Sequence, residues 1–164
     1  MTAIPNIEAP SVLAIEGFTR KAVRDVFKAM LGIDVENVEA SPLPSDPAGQ
    51  IIGSVGFIGE ATGIIYLFAG AELGKTVACR MLGLSDSEVD AAMVNDAFGE
   101  LCNMVVGSVK SRLCDGGLHC VLTVPSIVRG NNLRIEICNE TQRITLGFRS
   151  GEQRLIAEVT VKIL

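Results

Sequence analysis

The C-terminal third of the chain constrains the fold most, because strand patterns follow one another there with only short turns between them. Turn-forming residues at positions 130–132 (GNN) and 150–151 (SG) separate the apolar, alternating runs. Strands that succeed each other without intervening helices favour an antiparallel sheet over parallel βαβ units. The predicted strands are LHCVLTV, PSIVRG, LRIEICN, RITLGFR and LIAEVTVKIL.

The N-terminal half shows the same order, a helix followed by strands. Residues 11–31 carry apolar side chains at helical spacing, with Ser11 as a candidate cap and Gly32 as the end. The segment IDVENVEA then predicts one strand, and residues 51–69 predict two strands joined by a tight turn. The repeated order predicts an α+β fold (an α/β sandwich) in a single domain over residues 1–164. We expect a mostly antiparallel sheet with long helices packed on one face and halves related by a pseudo-twofold.

Two further helices are predicted in the middle of the chain. One covers Ala71–Leu82 and ends at Gly83, and a longer one lies within residues 84–117. Ser85 or Ser87 could cap the longer helix. Glycines inside the first strand of residues 51–69, Gly53 among them, indicate a bulge or a closely packed helix above the strand.

Charge and composition exclude several classes of function. The net charge of −5 and the pI near 4.9 argue against binding to a phosphate backbone, so no nucleic-acid partner is expected. The chain has no run of about 20 consecutive apolar residues, as a membrane-spanning helix needs. Its first residues, MTAIPNIEAP, lack the basic and apolar regions of a secretion signal. We therefore expect a cytoplasmic protein without a membrane partner.

The cysteine and histidine content predicts neither a disulfide framework nor a metal site. The five cysteines form an odd number without a CxxC pair, which indicates buried, reduced thiols. His119, the only histidine, lies beside Cys120, but adjacent residues of a strand face opposite sides. A zinc site needs about four ligands at suitable spacing, which this sequence does not offer. We expect no metal or cofactor bound by this chain.

A narrow polar stripe runs along the long helix within NDAFGELCNMVVGSVKSRL. At about 100° per residue, Asp96, Glu100, Asn103 and Gly107 fall within an arc of roughly 60°, and Gly99 flanks it. The simplest interpretation is the solvent face of an amphipathic helix. An asparagine in mid-helix and neighbouring glycines are poor helix formers, however, which makes the stripe a candidate functional surface.

The pattern D-x3-E-x2-N-x3-G on a long helix resembles the CheC/CheX/FliY family of chemotaxis phosphatases. Three other segments resemble the same family: FKAMLGIDVE, AELGKTVACRMLGL and VPSIVRG. The resemblance covers approximately residues 11–164. It implies a helix that docks against a phosphorylated response regulator of the CheY type.

The resemblance also implies a role for each stripe residue. Asn103 would orient the attacking water and Glu100 would pair with the regulator's lysine, while Asp96, Gly99 and Gly107 would support docking. Mg²⁺ would be held by the regulator and not by this chain. The alternative is a non-catalytic module of the same fold that binds a receiver domain or another signalling protein without hydrolysis.

Some family members carry the motif in both halves. In this chain the first helix has AIEGFTR, with Glu16 and Thr19 at the matching spacing, and threonine cannot replace the carboxamide. The resemblance is therefore closer to CheX than to CheC, with one active helix. CheX-like proteins form dimers, so a homodimer is expected.

One competing motif is AGAELGKT at residues 69–76, which matches a loose phosphate-binding loop with Lys75 at the phosphate position. Three features count against nucleotide binding. The first position is alanine instead of glycine, Glu72 adds negative charge where phosphates would lie, and no later strand supplies a magnesium-binding aspartate. The sequence therefore predicts that these residues form a turn and the start of a helix.

Overall fold

The computed structural model describes residues 10–138 and 141–164. It contains three α-helices, α1 (Val12–Val26), α2 (Ala71–Leu82) and α3 (Ala91–Asp115). A π-helical turn (Phe27–Leu31) extends α1, and a 3₁₀ turn (Asp86–Glu88) precedes α3. The strands are β1 (Glu36–Val38), β2 (Gln50–Gly59), β3 (Ala61–Gly70), β4 (Cys120–Leu122), β5 (Ser126–Gly130), β6 (Gln142–Ser150) and β7 (Gln153–Ile163).

The strands form one sheet in which every pairing is antiparallel, as the sequence predicts. The order is β1-β6-β7-β3-β2, and both β4 and β5 pair with the outer edge of β2. Each strand of the first half has a counterpart in the second: β1 corresponds to β4 and β5, β2 to β6, and β3 to β7. Replacing each strand by its counterpart gives the same order read from the other edge. Because α1 precedes the first set and α3 the second, the predicted pseudo-twofold halves are confirmed.

The main core lies between one face of the sheet and the three helices. Ile51, Val55 and Phe57 of β2 point into it and are almost completely buried. Gly53 lies on the same face under α3, where an added methyl group would overlap Cys102 Sγ and lie 3.1 Å from the Phe98 ring. The predicted close approach of a helix above this strand is therefore confirmed.

The helix starts agree only partly with the sequence prediction. Ser11 caps α1 as predicted, because its Oγ accepts a hydrogen bond from the Ala14 N–H at 3.2 Å. The prediction that Ser85 or Ser87 caps the long helix is wrong. Asp90 caps α3 through a 2.8 Å bond from the Met93 N–H, and Ser85 caps the separate 3₁₀ turn. Residues 84–90 therefore form their own turn.

The predicted strand LRIEICN is also wrong within the described residues, which end at Cys138 in this segment. Residues 133–138 form no regular element. Their alternating apolar side chains, Leu133 and Ile135, pack on the outer face of the sheet against Ile52, Phe68 and Ile156. The alternation of apolar residues in this segment thus reflects burial of one of its sides, although the segment does not pair with a strand.

None of the helices in the described residues combines the length and hydropathy needed to cross a membrane. The expectation about a secretion signal concerns the first nine residues, which lie outside the described residues.

Candidate functional site

The polar stripe of α3 lies on the outside of the molecule. Asp96 and Glu100 are exposed, and Asn103 and Gly107 are partly exposed. The other sides of the helix are buried, because its apolar residues pack against the sheet and neighbouring helices. The buried residues of α3 are Val94, Ala97, Phe98, Gly99, Leu101, Cys102, Val105, Val106, Val109 and Leu113. The stripe therefore lies on a helix whose other sides are packed firmly into the fold.

The polar groups of the stripe are not used by the fold. In residues 10–138 and 141–164, no ion pair or side-chain hydrogen bond engages Asp96, Glu100 or Asn103. Glu100 and Asn103 are three positions apart, so their side chains are neighbours on the helix surface. A carboxylate and a carboxamide are thus presented side by side and available to another molecule.

Gly99 and Gly107 have different surroundings. A methyl group on Gly107 would lie 4.0 Å from Leu122 Cδ1, and Gly107 stays partly exposed. Gly99 is buried, and a methyl group there would lie 3.6 Å from Pro125 Cβ and 3.8 Å from Ile127 Cδ1. Gly99 is therefore not itself part of the exposed surface, but the segment that packs against it is.

That segment, residues 123–125 between β4 and β5, is a part of the site that the sequence did not reveal. β4 and β5 follow one another along the outer edge of β2, and residues 123–125 interrupt them beside the stripe. The contact joins positions that are more than twenty residues apart. The pairing of β4 and β5 with β2 brings them together, so no local pattern could have predicted the contact.

The first helix does not carry a second stripe. Thr19 is completely buried and donates its hydroxyl to the Ile15 carbonyl at 2.8 Å. Glu16 pairs with Arg20 at 3.1 Å. Although α1 and α3 occupy equivalent places in the two halves, the outward pair of carboxylate and carboxamide is present on α3 alone among the described residues.

Residues 71–76 of the competing phosphate-loop motif lie in a helix, and Ala69 and Gly70 end β3. α2 begins at Ala71, so Lys75 and Thr76 belong to its first turns and do not form a loop. Lys75 Nζ lies 3.0 Å from Asp86 Oδ2. The Thr76 hydroxyl donates to the Glu72 carbonyl at 3.1 Å. A phosphate cradle of backbone N–H groups is not formed by this arrangement.

The cysteines and the histidine do not form a reactive group. His119 is exposed while Cys120 is buried, in agreement with opposite faces of a strand. Burial raises the pKa of the Cys120 thiol, and burial likewise raises the pKa of Cys102. The prediction of buried thiols is confirmed for Cys102 and Cys120, but Cys79 and Cys114 are only partly buried and Cys138 is exposed; all five are free. Within the described part of the chain, no three or more His, Cys, Asp or Glu side chains group together to suit a metal ion.

Comparisons with known proteins point to one family. The family model described as chemotaxis phosphatase CheX matches residues 51–149. A relative from Thermotoga maritima described as CheY-P phosphatase CheX is 29% identical over 148 residues, which are 89% of this chain and 92% of the relative.

Solved structures share the fold. Chemotaxis protein CheX from Vibrio vulnificus matches with a TM-score of 0.77 and 22% identity, covering 90% of this chain and 96% of that chain. A CheX-CheY-BeF3-Mg²⁺ complex from Borrelia burgdorferi matches with a TM-score of 0.73 and 20% identity, covering 90% of this chain and 97% of that chain. At these identities the structures support the fold alone.

Proposed function

Because this chain belongs to the CheX family of chemotaxis phosphatases, we propose that it hydrolyses the aspartyl phosphate of a CheY-like receiver domain. The observation that carries the proposal is the pair Glu100 and Asn103. Both lie on the outer face of α3, and no side-chain bond in the described residues engages either one. A partner that covers this face would meet a carboxylate and a carboxamide in a fixed arrangement.

In the proposed reaction, water attacks the phosphorus and the bond between phosphorus and the aspartyl oxygen breaks. The products are inorganic phosphate and the receiver's free carboxylate. An aspartyl phosphate is already activated, so the reaction mainly requires an aligned water and balanced charge. We assign the alignment to Asn103, because a carboxamide both donates to and accepts from water.

We assign an electrostatic role to Glu100, which pairs with a lysine of the receiver at the interface. This pairing brings the receiver's phosphoryl group and Asn103 together. Mg²⁺ belongs to the receiver in this proposal, and the present chain supplies no cofactor. The relative from Borrelia burgdorferi was solved with CheY, BeF3 and Mg²⁺, which supports a receiver domain as the class of partner.

The other stripe residues form the docking surface. Asp96 is exposed one turn before Glu100 and offers a second charged contact. Gly107 has no side chain, so the receiver can approach the helix closely beyond Asn103. Gly99 lies beneath this surface, where Pro125 packs against it.

The proposal is tested by following the decay of a phosphorylated CheY-like receiver with Mg²⁺, with and without this protein. Wild-type protein should accelerate the decay. Glu100→Ala and Asn103→Ala should each reduce the acceleration by about 10²-fold or more, the cost typical of removing one preorganised catalytic group.

Two matched substitutions away from the stripe serve as controls. Asn37 and Glu152 are exposed, on β1 and in the turn after β6. Asn37→Ala and Glu152→Ala should retain wild-type turnover. Full activity in Asn103→Ala would contradict the assigned role. Binding of the receiver without faster decay would favour the alternative, a non-catalytic module.

The quaternary state and location are proposed on the family relation alone. We propose a homodimer in the cytoplasm. Light scattering should then give about twice the chain mass of 17.3 kDa. A mass equal to one chain at the concentrations of the assay would overturn the dimer and leave the catalytic proposal intact.

A further inference from the structure

We propose that residues 123–125 form an apolar lip of the docking surface, and that Val124 at its centre contacts the receiver domain and governs its affinity. This inference rests on the proposed function and deepens it. It concerns a segment that is separate in sequence from the stripe. It assigns to Val124 a role in binding and none in the chemistry.

The first support is position. Leu122 packs near Gly107, and Pro125 packs near Gly99. These two glycines are eight positions apart, about 12 Å along the helix axis, and Asn103 lies midway between them. The chain between Leu122 and Pro125 therefore passes alongside Asn103, and any domain that covers Asn103 also reaches this segment.

The second support is rigidity. The Thr123 N–H donates to the Gly56 carbonyl at 2.9 Å, and the Gly56 N–H donates to Thr123 Oγ1 at 2.8 Å. β4 and β5 continue the pairing with β2 on either side. The lip is thus already ordered before a partner binds, so binding loses little conformational entropy there.

The third support is exposure. Val124 is 82% exposed, compared with 64% for Val121 and 50% for Val128 on the neighbouring strands. A valine held so far out of the core contributes little to folding. Covering it with a partner would remove apolar surface from water, which favours association. The occupant to which we commit is the receiver domain, because the lip is continuous with the stripe.

The contact is made equally before and during the reaction, so it should change KM and leave kcat nearly constant. We expect Val124→Ala to raise KM by about fivefold and Val124→Asp by at least tenfold, typical of a central apolar contact and of a charge placed there. In both variants kcat should stay within about twofold of wild type. Asn103→Ala should instead lower kcat and leave KM nearly constant.

Val121→Asp is the matched control. Val121 is also an exposed valine, but it pairs with Ile58, and both are exposed on the sheet face away from α3. Its KM should equal that of wild type. Circular dichroism and light scattering on all variants check that fold and mass are unchanged.

The outcomes separate this inference from the proposed function. An unchanged KM in Val124→Asp overturns the lip, even if Asn103→Ala abolishes turnover. If wild-type protein binds but does not hydrolyse, titration with a beryllofluoride-charged receiver replaces the kinetics. Weaker binding by Val124→Asp than by Val121→Asp then supports the lip while the phosphatase proposal fails. A wild-type protein that binds no receiver overturns both.

Discussion

Replacing Gly53 by alanine tests how closely α3 is packed on the sheet. The new methyl group would lie well inside 3.0 Å of Cys102 Sγ and about as close to Phe98 as tight contacts allow, at 3.1 Å. Cys102 is completely buried on α3, one residue before Asn103. Since carbon and sulfur atoms pack near 3.5–4.0 Å, the helix or the thiol must retreat by about 1 Å.

The expected loss follows from two opposing effects. Overpacking of a core by one methyl group typically costs about 1–3 kcal/mol. Replacing glycine in a strand returns about 0.5–1 kcal/mol, because the unfolded chain loses freedom. We expect the free energy of unfolding to fall by about 1 kcal/mol and Tm by about 2–4 °C.

A double-mutant cycle with Cys102→Ala identifies the cause. Cys102→Ala alone should cost about 1–2 kcal/mol by leaving a small cavity. In the Gly53→Ala background it should cost nothing or restore stability, because the methyl group fills the space of the lost sulfur. Urea denaturation of the four proteins gives the coupling energy. If the two effects simply add, within about 0.5 kcal/mol, the close approach is not what makes Gly53 necessary.

Two further substitutions test the fold. Asp90→Ala should lower the free energy of unfolding by about 1 kcal/mol by removing the cap of α3, whereas Ser85→Ala should cost less; equal losses in urea denaturation would contradict the assignment of the cap. Arg143→Met should cost about 1–3 kcal/mol, because Glu158, only 4% exposed and 2.7 Å from Arg143, would lose its partner. Urea denaturation of wild type and Arg143→Met measures this loss, and equal stability of the two proteins would argue against the importance of the ion pair.

The helical parts of the chain were predictable because their signals are local. The stripe on α3 follows from a 3.6-residue period, and Ala71–Leu82 ends at Gly83, whose φ is 67°. Helix caps were harder to predict than the helices themselves. Ser85 and Asp90 both have side chains that can accept a hydrogen bond at a helix start, and only the direction of the chain after Val89 decides which of them caps α3.

The parts that depend on distant pairing were not predictable in the same way. Residues 133–138 alternate like a strand, yet Leu133 and Ile135 pack onto the outer face of the sheet and pair with no edge. Pro125 reaches Gly99 of α3 because β4 and β5, on either side of residues 123–125, both pair with β2. Sequence patterns show which side of a segment is apolar, and tertiary contacts decide what covers it.

The palindromic strand order has a consequence for how the chain must fold. β1, from the first half, pairs with the hairpin β6–β7 of the second half, while β4 and β5 pair with the hairpin β2–β3 of the first. Each half therefore completes its sheet with a strand exchanged from the other. A chain cut between α2 and α3 would yield two fragments with unpaired sheet edges, each the missing partner of the other. The halves are interlocked, so neither half can complete its part of the sheet until the other has been synthesised.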